Sequence, residues 1–398
     1  MTPTPPVAHA ESIIDGLAAE YAMLSRTLFD HPETAFEEHH AAKTLSDWLQ
    51  QGGFDVDLGV GGLETAFVAR SGTGSPSIAF IAEYDALPGI GHACGHNLIG
   101  PGAAIAAAAV RAMVPDHAVG TVCVVGTPAE EGGGGKVIAL EHGLFDGIDA
   151  GLMFHPADRT LPWRHALASA HLRVTFHGVA AHAAKNPEDG RNALAAMIQL
   201  FTAVDALRQH TQATARIHGV IRNGGAAPNV VPDLTVADFL VREATADKTK
   251  HLTERFMACA EGAALATGTT VEVVHTAPLY TERKNNHVMA DRLTQHLTGL
   301  GVEVEQASFA NPSGSSDIGN LSLRLPIIHP YLKIADRGTP GHSVAFRDAA
   351  GSPSALAAAL PMIGALATLG AELITDPRLM EDVRNEFRTR GADVAETA

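Results

Sequence analysis

The sequence predicts an α/β protein: a strand-and-helix layer into which a ferredoxin-like α+β unit is inserted. Three observations lead there. Short apolar runs alternate with helical patterns up to His155. Between residues 168 and 276 the order becomes β-α-β-β-α-β, a complete ferredoxin-like unit. From Ala277 the first style resumes, so the predicted divisions are 1–167, 168–276 and 277–398.

The elements follow in order. Apolar residues at helical spacing predict a helix over Ala10–Phe29, and a second amphipathic helix spans Glu37–Gly52. Phe54–Val60 and Leu63–Ala69 read as strands, and Ser77–Ala82 as a continuous apolar strand buried on both faces. A helix over Leu98–Met113, a strand over Gly120–Val125, a helix over Lys136–His142 and a strand over Ala150–Phe154 complete the first part. Gly132–Gly135 is followed by no Gly-Lys-Ser/Thr pattern and reads as a tight helix entry. In the insert, strands are expected at His171–Phe176, Ala215–Asn223, Leu234–Arg242 and Thr270–His275, with helices at Gly190–His210 and Ala246–Thr267. Beyond it come a helix His287–Leu300, a strand Leu325–His329, a helix Pro353–Leu369 and a polar tail from Arg378.

Composition excludes some functions. The chain of 398 residues is long enough for more than one domain. Lys and Arg number 28 against 44 Asp and Glu, and the net charge of −16 argues against nucleic acid or an anionic membrane as partner. Three cysteines are too few for a disulfide framework. Cys123 and Cys259 read as buried small hydrophobes, which leaves Cys94 alone in a polar, glycine-rich setting. Residues 1–10 carry no signal-peptide pattern, and the apolar runs read as packing helices rather than membrane spans, so a reducing cytoplasm is expected.

The chemistry gathers on loops at the carboxyl ends of predicted strands, where α/β folds place their sites. Cys94-Gly95-His96 lies where one strand hands over to a helix, Glu130-Glu131 follows the next strand, and His155 ends the last. His342 sits in the glycine-rich loop Gly338–Ser343. Taken singly, each has an ordinary explanation. The carboxylate pair can open a solvated helix, and the histidines can be turn residues. Adjacent carboxylates also cannot share one face, so Glu130 and Glu131 are expected to have different jobs, one binding metal and the other polarising water. Together, Cys94, His96, Glu131, His155 and His342 are too many ligands for one tetrahedral zinc and suit two metals sharing a ligand. The other histidines, His39, His40, His210, His251, His287 and His296, read as solvated helix residues.

Particular motifs carry a resemblance. Glu83-Tyr84-Asp85-Ala86-Leu87-Pro88, His92-Ala93-Cys94-Gly95-His96-Asn97, Thr127–Glu131, His155-Pro156, Ala180–Ala184, Pro228–Pro232 and Gly314–Asn320 are similar to those of the two-metal aminoacylase/carboxypeptidase family of zinc peptidases. Within that family the chain resembles the amidohydrolase subgroup of aminobenzoyl-glutamate hydrolases, auxin-conjugate hydrolases and β-alanyl-lysine dipeptidase-like proteins. The resemblance implies a zinc-peptidase-like catalytic domain whose insert serves as lid and dimerisation domain, in a homodimer or higher homo-oligomer. It implies two divalent ions, zinc first and manganese or cobalt as alternatives. It further implies hydrolysis of an N-acyl amino acid or unusual dipeptide by a metal-bridged water, with Cys94 bridging the ions, Glu130 as general base and Asp85 orienting a ligand imidazole. His182 would stabilise the oxyanion and Asn229 would bind substrate. Glu83 stands where many branches place a ligating histidine, and it is not expected to bind metal. Arg222 and Arg347 are candidate partners for a substrate carboxylate, and His329 a candidate outer-shell group. The competing expectation is a non-catalytic, metal-stabilised binding protein on the same scaffold.

Overall fold

In the computed structural model, residues 6–114, 119–310 and 314–394 are described. The chain forms two compact units: one of residues up to His165 together with Arg283–Asp393, the other of Ala166–Glu282.

The first unit begins with α1 (Pro6–Asp30), α2 (His39–Gln51), β1 (Asp55–Leu58), β2 (Phe67–Thr73), β3 (Ser77–Ala82), α3 (His96–Met113), β4 (Gly120–Gly126), α4 (Gly135–Glu141), β5 (Ala150–Leu152) and β6 (His155–Ala157). The insert holds β7 (Ala168–His177), α5 (Ala193–Leu207), β8 (Arg216–Asn223), β9 (Leu234–Glu243), α6 (Ala246–Thr267) and β10 (Thr270–His275). The first unit resumes with α7 (His287–Gly299), α8 (Ile318–Ser322), β11 (Ile327–Ile328), β12 (Tyr331–Lys333), α9 (Val344–Ala350), α10 (Pro353–Thr375) and α11 (Pro377–Thr389).

The main sheet runs β1-β2-β4-β3-β5-β11. Its β4, β3, β5 and β11 are parallel, while β1 and β2 are antiparallel additions at one edge. Alternate residues of each central strand feed different cores. Ile78, Phe80, Val122 and Val124 join the helices α1, α3 and α10, whereas Ala79, Ile81, Cys123 and Val125 join the side that carries α4 and α8. Both faces are covered, which is why Ser77–Ala82 is apolar without alternation. The parallel strands end together, so Glu83, Asp85, Glu130, Glu131, His155 and His329 all emerge near one sheet edge. A two-stranded pairing of β6 with β12 extends past that edge and ties His155 opposite Tyr331.

The insert is a four-stranded antiparallel sheet in the order β10-β7-β9-β8. Helices α5 and α6 cover it through Met197, Leu200, Phe256 and Ala260 against Phe176, Phe239 and Val241. Sequential numbering of its strands gives 4-1-3-2, the ferredoxin-like arrangement. The compact unit runs Ala166–Glu282, beginning two residues before and ending six residues after the 168–276 read from the sequence. Ser169 and Tyr280 exchange backbone hydrogen bonds (2.9 and 3.0 Å), and the Glu282 carboxylate accepts the Ala246 N–H at the start of α6 (2.8 Å).

Four expectations need correction. The strand predicted at Leu63–Ala69 begins only at Phe67, because residues 63–66 form a turn closed by Ala66 N–H to Leu63 O (3.1 Å). The polar tail from Arg378 contains a helix not placed from the sequence, α11, which docks Met380 and Val383 into the core. Glu386 on this helix accepts the N–H groups of His287 and Val288 (3.0 and 2.8 Å), donors left over at the start of α7. Asp376-Pro377, an N-cap followed by proline, was the sequence signal for it. His296 and His287 are also not solvated: His296 is 5 % exposed and bonds Glu372 (2.8 Å), and His287 bonds Asp393 (3.1 Å). Cys259 is half-buried rather than buried.

Helix α10 is long and apolar enough by composition to cross a bilayer, yet 61 % of its apolar window is buried inside the protein. It packs on α1, α3 and α7, which accounts for its composition.

Candidate metal centre

The loop between β3 and α3 presents Cys94 and His96. Gly95 between them has φ +83°, and a Cβ there would stand 2.8 Å from Pro156 Cγ. Glycine is therefore required both for the turn and for the close approach of β6. His96 opens α3 and is fully buried. Its Nδ1 donates to Asp85 Oδ1 (2.9 Å), which keeps a proton on Nδ1 and turns Nε2 toward the site; burial opposes the charge, but Asp85 raises His96 well above the usual imidazole range, so a metal at Nε2 would displace a proton. The other Asp85 oxygen accepts the Glu131 N–H (2.9 Å), so one buried carboxylate orients two neighbouring groups.

His155 is arranged in the same way. Its Nδ1 donates to Pro156 O (2.7 Å), and its Nε2 lies 3.4 Å from Cys94 Sγ. Ligating atoms of Cys94, His96 and His155 lie within 4.8 Å of one another, and so do those of Cys94, Glu131 and His342. The two triads share Cys94. His342 reaches its place from a left-handed backbone (φ +58°) whose N–H bonds Ala93 O (3.0 Å), with Nε2 3.3 Å from Glu131 Oε1.

Glu130 and Glu131 meet in one cluster although they are adjacent in sequence. Atoms of His96, Glu130 and Glu131 lie within 4.8 Å of one another. The segment is a turn, not a helix start, and Ala129 has φ +60°. The Ala129 N–H is held by Glu38 Oε1 (2.8 Å), a buried carboxylate that also accepts from Thr65 (2.9 Å). Burial and the nearby Asp85 raise Glu38 to about 7. Glu38 precedes a polar helix and nothing local marks it as part of this site.

Two further groups escaped the sequence reading. Lys136 is fully buried, its Nζ 2.6 Å from Glu83 Oε1 and 2.8 Å from Asp317 Oδ1. Its own N–H bonds the second Asp317 oxygen (2.9 Å). Glu83, Glu130 and Asp317 carboxylates lie within 4.8 Å of one another, and Glu83 Oε2 stands 3.6 Å from His96 Nε2. A lysine after four glycines reads as a solvated helix start. Only the approach of Asp317, 181 residues on, makes it a buried counter-charge. Lys136→Met is expected to destabilise the protein by about 3–5 kcal/mol, because it leaves two buried carboxylates uncompensated. Urea denaturation of the variant against wild type measures this.

The electrostatics favour cations. Burial and the Glu131 charge push the Cys94 thiol well above its usual range, and burial with Glu131, Glu83 and Asp317 does the same to Glu130. Burial opposes ionisation of Glu131, but the His342 hydrogen bond and the His96 charge hold it below the usual carboxylate value. Burial and the His96 charge lower His155 to about 4, so it is a neutral imidazole ready to ligate. Two soft-and-imidazole triads with a shared thiol, inside a carboxylate-rich pocket, fit two divalent ions.

His182 and Asn229 lie in the inserted unit and are neighbours there. His182 bridges to Val230, and Asn229 O accepts the Ala183 N–H (3.1 Å). Both side chains are exposed, and His182 Nδ1 accepts from Ala184 N (3.2 Å), so a neutral ring carries its proton on Nε2. Arg222 is exposed and paired with Asp238 (2.8 Å), and Arg347 is paired with Asp348 (2.6 Å).

Comparison with known proteins follows the same lines. Residues 166–267 match the peptidase dimerisation domain family. The mouse Xaa-Arg dipeptidase is 37 % identical over 399 residues, covering 95 % of this chain and 91 % of that protein. One component of the Escherichia coli p-aminobenzoyl-glutamate hydrolase is 39 % identical over 282 residues, covering 66 % of this chain and 59 % of that component. Among solved structures, an aminobenzoyl-glutamate utilization protein from Klebsiella pneumoniae superposes with a TM-score of 0.74 at 22 % identity, covering 90 % of this chain and 98 % of that one. A dinuclear metal-binding peptidase of the M20 family from Bacillus subtilis gives 0.63 at 20 % identity, covering 90 % and 99 %. With a dimerisation-domain insert, a paired-metal ligand set and near full-length likeness to a dipeptidase, the chain belongs to the M20 family of metallopeptidases and is an amidohydrolase.

Proposed function

We propose that this amidohydrolase cleaves the amide between an acyl group and an amino acid, in an N-acyl amino acid or an unusual dipeptide, with Glu130 as general base. The observation that carries this reading is the pair of triads sharing Cys94 with the Glu130 carboxylate beside them. One triad, Cys94, His96 and His155, would hold one ion, and the other, Cys94, Glu131 and His342, the second. Zinc suits this sulfur and nitrogen donor set best, with manganese or cobalt able to use its mixed donors. When bound, the ions supply an electrophile for the amide carbonyl and make a water acidic at neutral pH.

The chain's own groups do the rest. Asp85 keeps the His96 proton on Nδ1 and so keeps Nε2 a ligand. Glu130 takes a proton from the attacking water and passes it to the departing nitrogen, which leaves as an amine while the acyl group leaves as a carboxylate. Glu130 is raised by burial and by Glu131, Glu83 and Asp317, and the positive charge of ions held by the two triads would favour its ionised, basic form. We assign His182 the role of hydrogen-bond donor to the carbonyl oxygen through Nε2, and Asn229 that of a substrate contact. A homodimer built through the inserted unit is part of the proposal. Strand β8 is a sheet edge, and Val220 and Ile221 on it, with Ile198 on α5, are exposed apolar residues. A cytoplasmic setting fits three free cysteines.

Named relatives act on different compounds: Xaa-Arg dipeptides, p-aminobenzoyl-glutamate and indole-3-acetyl-aspartic acid. A panel of these and of simpler N-acyl amino acids, assayed with zinc, manganese or cobalt and after chelation, tests the reading. Metal-dependent release of a free amino acid from at least one compound is expected. No release from any of them with any ion would leave a binding protein on the same scaffold as the better account.

A further inference from the structure

One cluster in the first unit holds positive charge that the fold does not neutralise. Arg283 is 2 % exposed. Its Nη1 donates to His329 Nδ1 (2.9 Å) and to the Tyr331 hydroxyl (3.0 Å), both neutral acceptors, and among the described residues it forms no ion pair with a carboxylate. A guanidinium can only donate, so His329 accepts at Nδ1 and carries its proton on Nε2. Nε2 of His329, Nε of Arg283 and Nε of Arg164 are buried donors with no acceptor among the described residues.

Arg164 belongs to the same cluster. Its guanidinium carbon lies 4.1 Å from the centre of the Tyr331 ring, and that of Arg283 lies 5.9 Å from the same ring. Among the described residues the acid paired with Arg164 is Asp158, at 3.7 Å, which already accepts from Arg159 (3.3 Å) and from the Gly338 N–H (2.9 Å). Two guanidiniums and an imidazole N–H on one phenol ring are costly to bury unless an acceptor-only, negatively charged group completes them. A carboxylate is such a group, and arginine binds it in a planar, paired geometry.

The location gives the cluster its meaning. The His155 ring lies 5.6 Å from that of His329 and 5.7 Å from that of Tyr331. His155, Tyr331 and Arg164 are each part-exposed, so solvent reaches the cluster at Arg164 and Tyr331, next to a histidine of the metal centre. In an amino acid amide the α-carboxylate is two bonds from the scissile nitrogen, so a substrate held at the metal centre carries its carboxylate only about 4–5 Å from the reacting carbon by standard bond lengths.

We propose that Arg164, Arg283, His329 and Tyr331 form the subsite for the α-carboxylate of the departing amino acid. This rests on the amide-hydrolase reading above and names the substrate feature that the site selects. It also displaces Arg222 and Arg347, whose charges are already met by Asp238 and Asp348.

The test compares an N-acyl amino acid that the wild-type holoenzyme cleaves with its α-carboxamide. The wild type should show a lower KM for the acid. Arg164→Met should raise the KM of the acid about ten- to hundredfold, the loss expected for charge-assisted hydrogen bonds, with kcat and the carboxamide KM nearly unchanged. Arg283→Met should do the same if it folds. Arg164, with 16 % of its side chain exposed, decides the matter if the buried variant does not. Equal KM values for acid and carboxamide in the wild type, or an unchanged preference for the acid in Arg164→Met with its metal content intact, would overturn the subsite. Failure of the wild type to cleave any acyl amino acid would instead overturn the amide-hydrolase reading itself.

Discussion

Glu130→Gln is expected to lower kcat by about 10²–10⁴-fold, the range for loss of a general base, while both metal ions stay bound. The structure separates the two properties. Glu130 lies beside His96 and Glu131 but belongs to neither triad built around Cys94. Glutamine preserves the shape of the side chain and removes its ability to carry a proton between water and the leaving nitrogen. It also removes one negative charge from a crowded pocket, because Glu83, Glu131 and Asp317 all disfavour ionisation of Glu130. The variant should therefore be at least as stable as wild type, and thermal melting measured beside kcat separates lost chemistry from lost fold. Turnover within a factor of a few of wild type would remove Glu130 from the base role. Metal content is read by elemental analysis on the same samples.

Cys94→Ala is expected to deplete both metal positions, whereas His155→Ala and His342→Ala should each deplete one. Cys94 is the only residue common to the two triads, and its loss should weaken each position by more than the roughly 10–100-fold that follows loss of an outer-shell partner. Equilibrium dialysis against a graded chelator series measures the two affinities. The pH dependence has a definite sign. Burial and Glu131 hold the Cys94 thiol well above its ordinary value, so a proton competes with metal for the sulfur across the neutral range. Metal affinity should therefore fall as pH falls and binding should release protons, visible as acidification when zinc is added to metal-free protein in weak buffer. In Cys94→Ala this release should shrink. One ion lost and one retained at wild-type affinity would show that the thiol does not bridge.

Much of this site could be read from the sequence. Cys94-Gly95-His96 is a local signal, because the glycine's positive φ and the ligand spacing both lie within one turn. The carboxyl ends of β3, β4 and β5 were predictable from the strand–helix alternation, which placed Glu130, Glu131 and His155 on one edge. His342 was found only as the member of a set, since its loop resembles any glycine-rich turn. The ordinary explanation for Glu130-Glu131 failed because Ala129 adopts a left-handed backbone held by Glu38, some ninety positions earlier. Nothing local marks Lys136 either, for the same kind of reason: its partners, Glu83 and Asp317, come from distant segments.

Most of the elements, the ferredoxin-like order of the insert and the kinds of ligand available were legible in the sequence, because these depend on periodicity and on residue chemistry over a few positions. Tertiary structure alone decided which charges meet. It set Lys136 between Glu83 and Asp317, gathered Arg164 and Arg283 on Tyr331 beside His155, and folded α11 over the start of α7. The physical reason is burial. A charged side chain in water needs no particular partner, but once the sheet and its helices exclude water each charge must be matched by whatever group the topology brings alongside.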